Sequence, residues 1–406
     1  MDKKLNKSSG GKRGDSVRSD CYFEIELKNS GGIKIDLKSK VETMYGESIK
    51  QMILDMSNFF GLKDAKILIE DNGALPFVLA ARFELAVKRL FPELKKEYLL
   101  PFNKNNLNPT KKDKLRRSRL YLPGNEPKFF VNAGLHTPDG IILDLEDSVA
   151  PAEKDAAQLL VRNALRSVDF YGAERMVRIN QLPKGLNDLK FIVPHNVNVI
   201  LLPKCESADQ IHQLEKEVEK LKKNNKVQNE IYFMPIIESA LGVIKAYEIA
   251  SASQNNCALA IGLEDYTADI GTQRTNEGHE SIFARQMLVN AAKAVGIQAI
   301  DTVFSDVADM EALRQSVLEA KSLGFEGKGC IHPRQIKVVH EAFAPTTEEI
   351  EKAKKIVLAF DEAEKKGLGV VSLGSKMIDP PVVKRALRTI ELAILNNLLN
   401  KNWKKE

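Results

Sequence analysis

Paired cysteines, long apolar runs and an excess of either charge are all missing from this chain, and each absence removes a class of protein. The four cysteines, Cys21, Cys205, Cys257 and Cys330, lie far apart, with no Cys-x-x-Cys pair and no histidine spacing beside them. That argues against a zinc module or a disulfide framework and leaves reduced thiols. No stretch of about 18 apolar residues occurs, and the Lys-, Ser- and Gly-rich N-terminus has no apolar core, so neither a membrane span nor a signal peptide is expected. The net charge is only +5 in 406 residues, with lysines spread along helical faces and in the tail at 401–405. Such a pattern is a solvated surface rather than a nucleic-acid footprint. No Gly-x-Gly-x-x-Gly turn or Walker loop follows a candidate strand, which excludes the usual nucleotide cradles. The expectation is a soluble cytoplasmic protein with no nucleic-acid and no membrane partner.

What is present is apolar patterning, 43% hydrophobic residues over a length that suits a barrel of about 250 residues plus a smaller domain. Residues 1–15 are polar and glycine-rich and read as disordered. Residues 16–93 alternate strand and helix signals, with 22–27 and 33–37 forming a hairpin across Asn29-Ser30-Gly31-Gly32, a helix over 48–60 closed by Gly61, a strand over 66–70 and a helix from 75 to 90. Residues 94–114 have linker composition. Over 115–345 the pattern becomes strand, loop, helix, repeated, with strands expected at 118–122, 140–145, 175–179, 197–202, 231–237, 258–262, 298–302 and 327–331. This is the signature of an α/β fold, a (β/α)8 TIM barrel. Residues 346–406 fall outside the eight units and read as a helical extension serving as lid or oligomer contact.

A barrel builds its site where its strands end, so the residues there carry the chemistry. Glu238 and Asp265 end neighbouring strands 27 positions apart, one β/α unit, and two carboxylates so placed suit Mg2+ with waters and substrate oxygens completing the sphere. A plain helix-capping or lysine-pairing role for either acid is the alternative. Arg178 points from the third strand toward the same rim, either to grip a substrate carboxylate or to pair with the Asp144-Leu145-Glu146-Asp147 cluster. Lys204 follows the fourth strand as a possible Schiff-base nucleophile, though the acid pair favours a metal-stabilised enolate. His332 reads as a positioned structural or ligand-edge residue.

Several of these segments resemble one family. Arg117-Ser118-Arg119-Leu120-Tyr121-Leu122-Pro123-Gly124, Asp144-Leu145-Glu146-Asp147, Val177-Arg178-Ile179-Asn180, Leu202-Pro203-Lys204, Ile237-Glu238-Ser239, Gly262-Leu263-Glu264-Asp265-Tyr266 and His332-Pro333-Arg334-Gln335 resemble the citrate lyase beta subunit, in order, from about 116 to 390. The resemblance implies a trimeric or hexameric barrel that uses Mg2+ to cleave citryl, malyl or citramalyl thioesters. It implies Glu238 and Asp265 as metal ligands and Arg178 with Glu238 as substrate contacts. Arg117 would lie near the thioester's phosphate or pantetheine arm. Asp379 matches a lid acid that some relatives supply from a neighbouring subunit; Gly367 and Gly369 before it read as hinges, and a plain loop end capping the final helix is the alternative for Asp379. The N-terminal unit resembles the citrate lyase gamma subunit, the acyl carrier protein, through Asp36-Leu37, Tyr45-Gly46, Asp71-Asn72-Gly73-Ala74-Leu75 and Ala81-Arg82. In that family a serine carries a covalent phosphoribosyl-dephospho-CoA arm and an alpha-like acyl-transferase subunit acts beside it. Here Arg18 stands at the aligned position, so Ser19 or Ser16 takes the arm, or the carrier unit is vestigial and free CoA thioesters are the substrates.

Overall fold

A computed structural model describes residues 6–365, 371–373 and 376–405. The N-terminal unit comprises β1 (Lys7–Gly11), β2 (Cys21–Leu27), β3 (Ile33–Ser39), α1 (Glu42–Phe60), β4 (Ala65–Asp71) and α2 (Pro76–Leu90). Its four-stranded sheet runs β1-β2-β4-β3, with β2 antiparallel to both neighbours and β3 parallel to β4. Two expectations fail here. The segment read as disordered contains β1, a strand with no apolar side chain. Glycine serves close approach there: a Cβ on Gly10 would meet the Arg82 carbonyl oxygen at 2.7 Å, and one on Gly11 the Cys21 carbonyl oxygen at 2.0 Å. The hairpin of β2 and β3 also does not form, because β4 lies between them. Ala65, Ile67 and Ile69 are fully buried, whereas the apolar face of β3 is only half-buried, so the more apolar strand takes the centre and β3 the edge.

The second unit is a closed barrel of eight parallel strands. Its strands are β5 (Ser118–Pro123), β6 (Gly140–Asp144), β7 (Glu174–Arg178), β8 (Val199–Leu202), β9 (Tyr232–Ile237), β10 (Ala258–Ile261), β11 (Gln298–Asp301) and β12 (Gly327–Cys330), with β12 pairing back onto β5. All eight coincide with the expected runs. Both faces are covered, which explains why β6, β8, β9 and β10 read as near-continuous apolar segments. The surrounding helices are α3 (Lys154–Ser167), α4 (Gly185–Ile192), α5 (Ala208–Asn225), α6 (Ala240–Ile244), α7 (Ala246–Ser251), α8 (Leu263–Asp269), α9 (Ile282–Ala294), α10 (Met310–Leu323) and α11 (Arg334–Phe343). Then follow α12 (Thr347–Lys365), the short antiparallel pair β13 (Val371–Leu373) and β14 (Lys376–Ile378), and α13 (Pro380–Leu395). Helices α12 and α13 pack on each other through a separate apolar cluster that includes Ile356, Val383 and Ile390.

The two units are joined by buried contacts. Helix α2 lies between the N-terminal sheet and α3, and the ion pair of Arg162 with Glu84 spans the junction at 2.8 Å with both side chains fully buried. Asn163 donates to the Phe77 carbonyl at 3.0 Å, and Arg82, paired with Asp20 at 2.7 Å, reaches the Asn125 carbonyl at 3.4 Å. The stretch with linker composition is laid along the barrel. Arg166 Nε donates to the Leu100 carbonyl at 2.6 Å, and Asn196 Nδ2 to the Asn106 carbonyl at 2.7 Å. Its prolines and asparagines break regular structure but leave backbone oxygens for barrel side chains to bind.

Candidate active site

Strand ends at the C-terminal mouth enclose a cavity of about 400 Å³ lined by Arg119, Tyr121, Asp144, Arg178, Glu238 and Asp265, among others. Arg178 closes β7 and is gripped by Asp144 at the end of β6, Nε to Oδ1 and Nη2 to Oδ2 both at 2.7 Å. The register places these two residues side by side. Burial alone would raise the Asp144 carboxyl, but the Arg178 hydrogen bonds outweigh it and hold the group below the usual carboxylate range. Burial likewise opposes the Arg178 charge, and Asp144 more than restores it. Asp144 therefore orients Arg178 as one planar fork, and Nη1 is left facing Glu146 Oε2 at 2.9 Å.

Glu238 follows β9 and is nearly buried, its Oε1 accepting the Lys204 amide at 2.6 Å. Burial pushes its carboxyl up to about 8, with Asp265 and Glu146 adding to the rise and the Lys204 amide opposing it. Asp265, in the first turn of α8, is partly exposed, and Lys204 Nζ lies 3.6 Å from its Oδ1. Gly262 provides the space between: a Cβ there would stand 2.4 Å from Glu238 Oε2. A buried carboxyl that resists ionisation alone, with a second acid on the adjacent strand end, is a donor set that fits Mg2+. Among the described residues no group of three or more His, Cys, Asp or Glu side chains could hold a metal alone, so water and substrate oxygens must supply the other positions.

The other expected residues fall elsewhere. Arg117 precedes β5 at the N-terminal end of the barrel, opposite the mouth, bound to Asp139 through Nε and Nη2 at 2.8 Å each and to Asn396 beyond α13. Its place near the thioester arm is thereby corrected: strand direction puts residue 117 one barrel length from the rim, where it fastens the C-terminal helix. Lys204 has a positive φ of 48°, and although burial lowers it, the facing acids Asp147, Asp265 and Glu146 raise its ammonium above the ordinary value. That is opposite to the depressed pKa a Schiff-base lysine requires. His332 does not line the cavity; its Nδ1 accepts the Arg334 amide at 3.2 Å in the turn before α11. Asp379 caps α13, accepting the Val382 amide at 3.2 Å, and does not line its own chain's cavity; the hinges at Gly367 and Gly369 lie outside the described residues. Ser19 sits in a turn with φ 54°, its amide bonded to the Asn72 carbonyl at 3.0 Å, and Ser16 is exposed nearby. Lys12, on the same segment, pairs with Glu126 in the loop after β5.

Residues 117–333 match the family model described as HpcH/HpaI aldolase/citrate lyase. The chain belongs to that family. Within it, the chain is 43% identical over 291 residues to the citrate lyase subunit beta of Leuconostoc mesenteroides subsp. cremoris, covering 71% of this chain and 96% of the relative. It is 33% identical over 290 residues to the mitochondrial citramalyl-CoA lyase of Homo sapiens, covering 68% and 85%. Among solved structures, the CitE protein of Mycobacterium tuberculosis in complex with magnesium, acetoacetate and coenzyme A aligns with a TM-score of 0.58 at 29% identity, over 70% of this chain and 99% of that one. Residues 14–90 match a second model, an acyl carrier described as malonate decarboxylase delta subunit (MdcD). The lyase barrel thus carries an acyl-carrier-like unit on the same chain, as the sequence reading expected. Sequence reasoning missed Arg119 and Tyr121, whose alternation along β5 turns both inward and was legible as a period of two. It also missed Gly262, whose role is the room it leaves.

Proposed function

We propose that this chain is a Mg2+-dependent carbon–carbon lyase that cleaves a citryl thioester to oxaloacetate and an acetyl thioester, in the cytoplasm, with its acyl carrier built in. The observation that carries this reading is the guanidinium of Arg178, locked by Asp144 beside Glu238 and Asp265 at the mouth. Glu238 and Asp265 would hold the metal, which when bound acidifies the substrate hydroxyl and polarises the forming carbonyl. Arg178 holds the adjacent carboxylate so that the bond between the hydroxyl-bearing carbon and the thioester's α carbon is aligned for cleavage. As the hydroxyl proton passes to solvent at the open mouth, the hydroxyl oxygen becomes the new carbonyl, and the breaking bond's electron pair moves to the α carbon and makes the thioester enolate. A proton delivered to that carbon completes the acetyl thioester. That proton is assigned to Asp379 of a neighbouring protomer in a homotrimer or hexamer.

The arm of the carrier is assigned to Ser19, with Ser16 three residues earlier as the other acceptor, and an alpha-like acyl-transferase subunit is the partner that loads it. Arg18, at the position where carriers of this kind have serine, favours a second reading: a free-CoA lyase of the citramalyl or malyl type with a vestigial carrier. Two measurements test these. Citryl-CoA incubated with the chain and Mg2+ should release oxaloacetate, read by NADH oxidation with malate dehydrogenase, and excess EDTA should abolish it. Absence of Mg2+-dependent product sinks the lyase reading. The intact mass of protein from its native host separates the two forms, since a covalent arm adds a fixed increment and a vestigial carrier adds none.

A further inference from the structure

Among the described residues, the buried cations are almost all compensated. Arg116 has Glu174 at 2.7 Å, Lys328 has Asp301 at 2.6 Å, Arg82 has Asp20 and Arg162 has Glu84. Arg175, without a carboxylate, is wrapped by the Asn196 and Asn108 oxygens. Arg119 is the exception. It is 1% exposed, its Nε has no partner, and its remaining contacts are the Met234 thioether at 3.1 Å and the Asp301 carbonyl at 3.4 Å. A thioether is a weak acceptor, and 3.4 Å is a long bond for a guanidinium. A buried charge left in that state requires an anion.

The anion's place follows from the register. Arg119 lines the same cavity as Arg178 and Glu238, as the inward-facing residue two positions before Tyr121 on β5. Ile300 pairs with Ala260 and Ala260 with Ile236, so the Asp301 carbonyl that Arg119 touches is level with Ile237, one residue below Glu238. One residue along a strand is about 3.3 Å, the scale of a carboxymethyl group. The guanidinium therefore stands on the cavity floor below the acid pair, with Ala260 and Gly329 in the same lining.

We propose that Arg119 is a specificity-determining residue that binds the substrate's second carboxylate, the carboxymethyl arm of a citryl group and of the oxaloacetate it releases, while Arg178 holds the carboxylate next to the reacting carbon. This rests on the lyase reading above and adds the residue that selects its substrate, a thioester whose tertiary carbon bears a carboxymethyl rather than a methyl group. Binding exchanges the thioether contact for a charge-assisted, two-point hydrogen bond.

The test compares citryl-CoA with citramalyl-CoA, which differ only in that group, on the full chain with Mg2+. Wild type should favour citryl-CoA by at least about 100-fold in kcat/KM, in line with the rejection of analogues by sites built around a polar group. Arg119→Met should lower the ratio of the two kcat/KM values by about 100-fold, and Arg119→Lys should restore part of it. In parallel, oxaloacetate should raise the melting temperature of wild type more than pyruvate does, with that difference lost in Arg119→Met. A wild type that handles both thioesters equally, or prefers citramalyl-CoA, overturns this assignment and leaves the lyase standing; so does an unchanged ratio in Arg119→Met. If Arg119→Met fails to fold, Arg119→Lys and the two-ligand comparison on wild type decide. A wild type that cleaves neither thioester overturns both.

Discussion

Replacing Gly262 by alanine isolates the placement of one carboxylate. The added methyl would stand 2.4 Å from Glu238 Oε2 and 3.0 Å from Glu238 Cβ, against an ordinary contact near 3.5 Å. The backbone is not at issue, because φ −109° and ψ 98° at Gly262 suit any L-residue. Nor need the fold yield, since the atom most crowded is the far end of a side chain. The Glu238 carboxylate must retreat by about 1 Å while its Oε1 is tethered to the Lys204 amide. A displacement of that size at a catalytic group lowers the rate about 100-fold, or about 2.7 kcal/mol of transition-state stabilisation. The expected result for Gly262→Ala is a two-decade loss of kcat/KM on citryl-CoA, a higher Mg2+ concentration for half-maximal rate, and a melting temperature within a few degrees of wild type. Wild-type turnover with unchanged Mg2+ dependence would refute the placement of Glu238 at the metal.

Asp265→Asn should weaken Mg2+ binding and lower cleavage at least about tenfold, about 1.4 kcal/mol, by steady-state kinetics across a Mg2+ titration. Mixing Asp265→Asn subunits with Asp379→Asn subunits should restore part of the activity if a neighbour supplies Asp379, and no recovery after demonstrated subunit exchange would refute that. Arg162→Met leaves Glu84 buried without its main partner and should destabilise the chain by about 3–5 kcal/mol in urea unfolding, with Arg162→Met/Glu84→Met recovering most of it. His195 accepts from Arg166 Nη1 at 3.2 Å, and burial, with the Arg162 and Arg166 charges, pushes it down to about 3. The folded chain thus keeps it neutral while the unfolded chain protonates it near 6.5, so its contribution is complete above pH 6.5 and lost as pH falls toward 3. At pH 5.5 the loss is on the order of 1 kcal/mol, and His195→Gln should flatten the decline of melting temperature between pH 7 and 5.5.

The barrel was legible because a parallel strand buried on both faces writes an unbroken apolar run, and its end is marked by the first polar residue. That rule alone placed Arg178 and Glu238 at the mouth, and Asp265 just past it. The same rule puts Arg117, placed near the thioester arm by the resemblance alone, at the start of β5 and away from the mouth. Strand β1 escaped detection because its glycines are selected for contact between backbones, a demand that looks the same in sequence as a flexible tail. The partnerless state of Arg119 was invisible for another reason: solvent-facing and buried arginines share one letter, and only the three-dimensional surroundings show a missing counter-charge.

The placement of α2 between the N-terminal sheet and α3 has a bearing on traffic. A carrier on a loose tether visits its partners by diffusing between them, and its effective concentration at each is set by the length and stiffness of the tether. Here the carrier-like unit is part of the wall, held by a buried ion pair and by the strapped 94–114 segment. Only an arm at Ser16 or Ser19 would be left to move, from a segment tied through Lys12 to the loop after β5. Delivery to the lyase would then be set by the reach of the arm, whereas loading would require the acyl-transferase to come to the barrel.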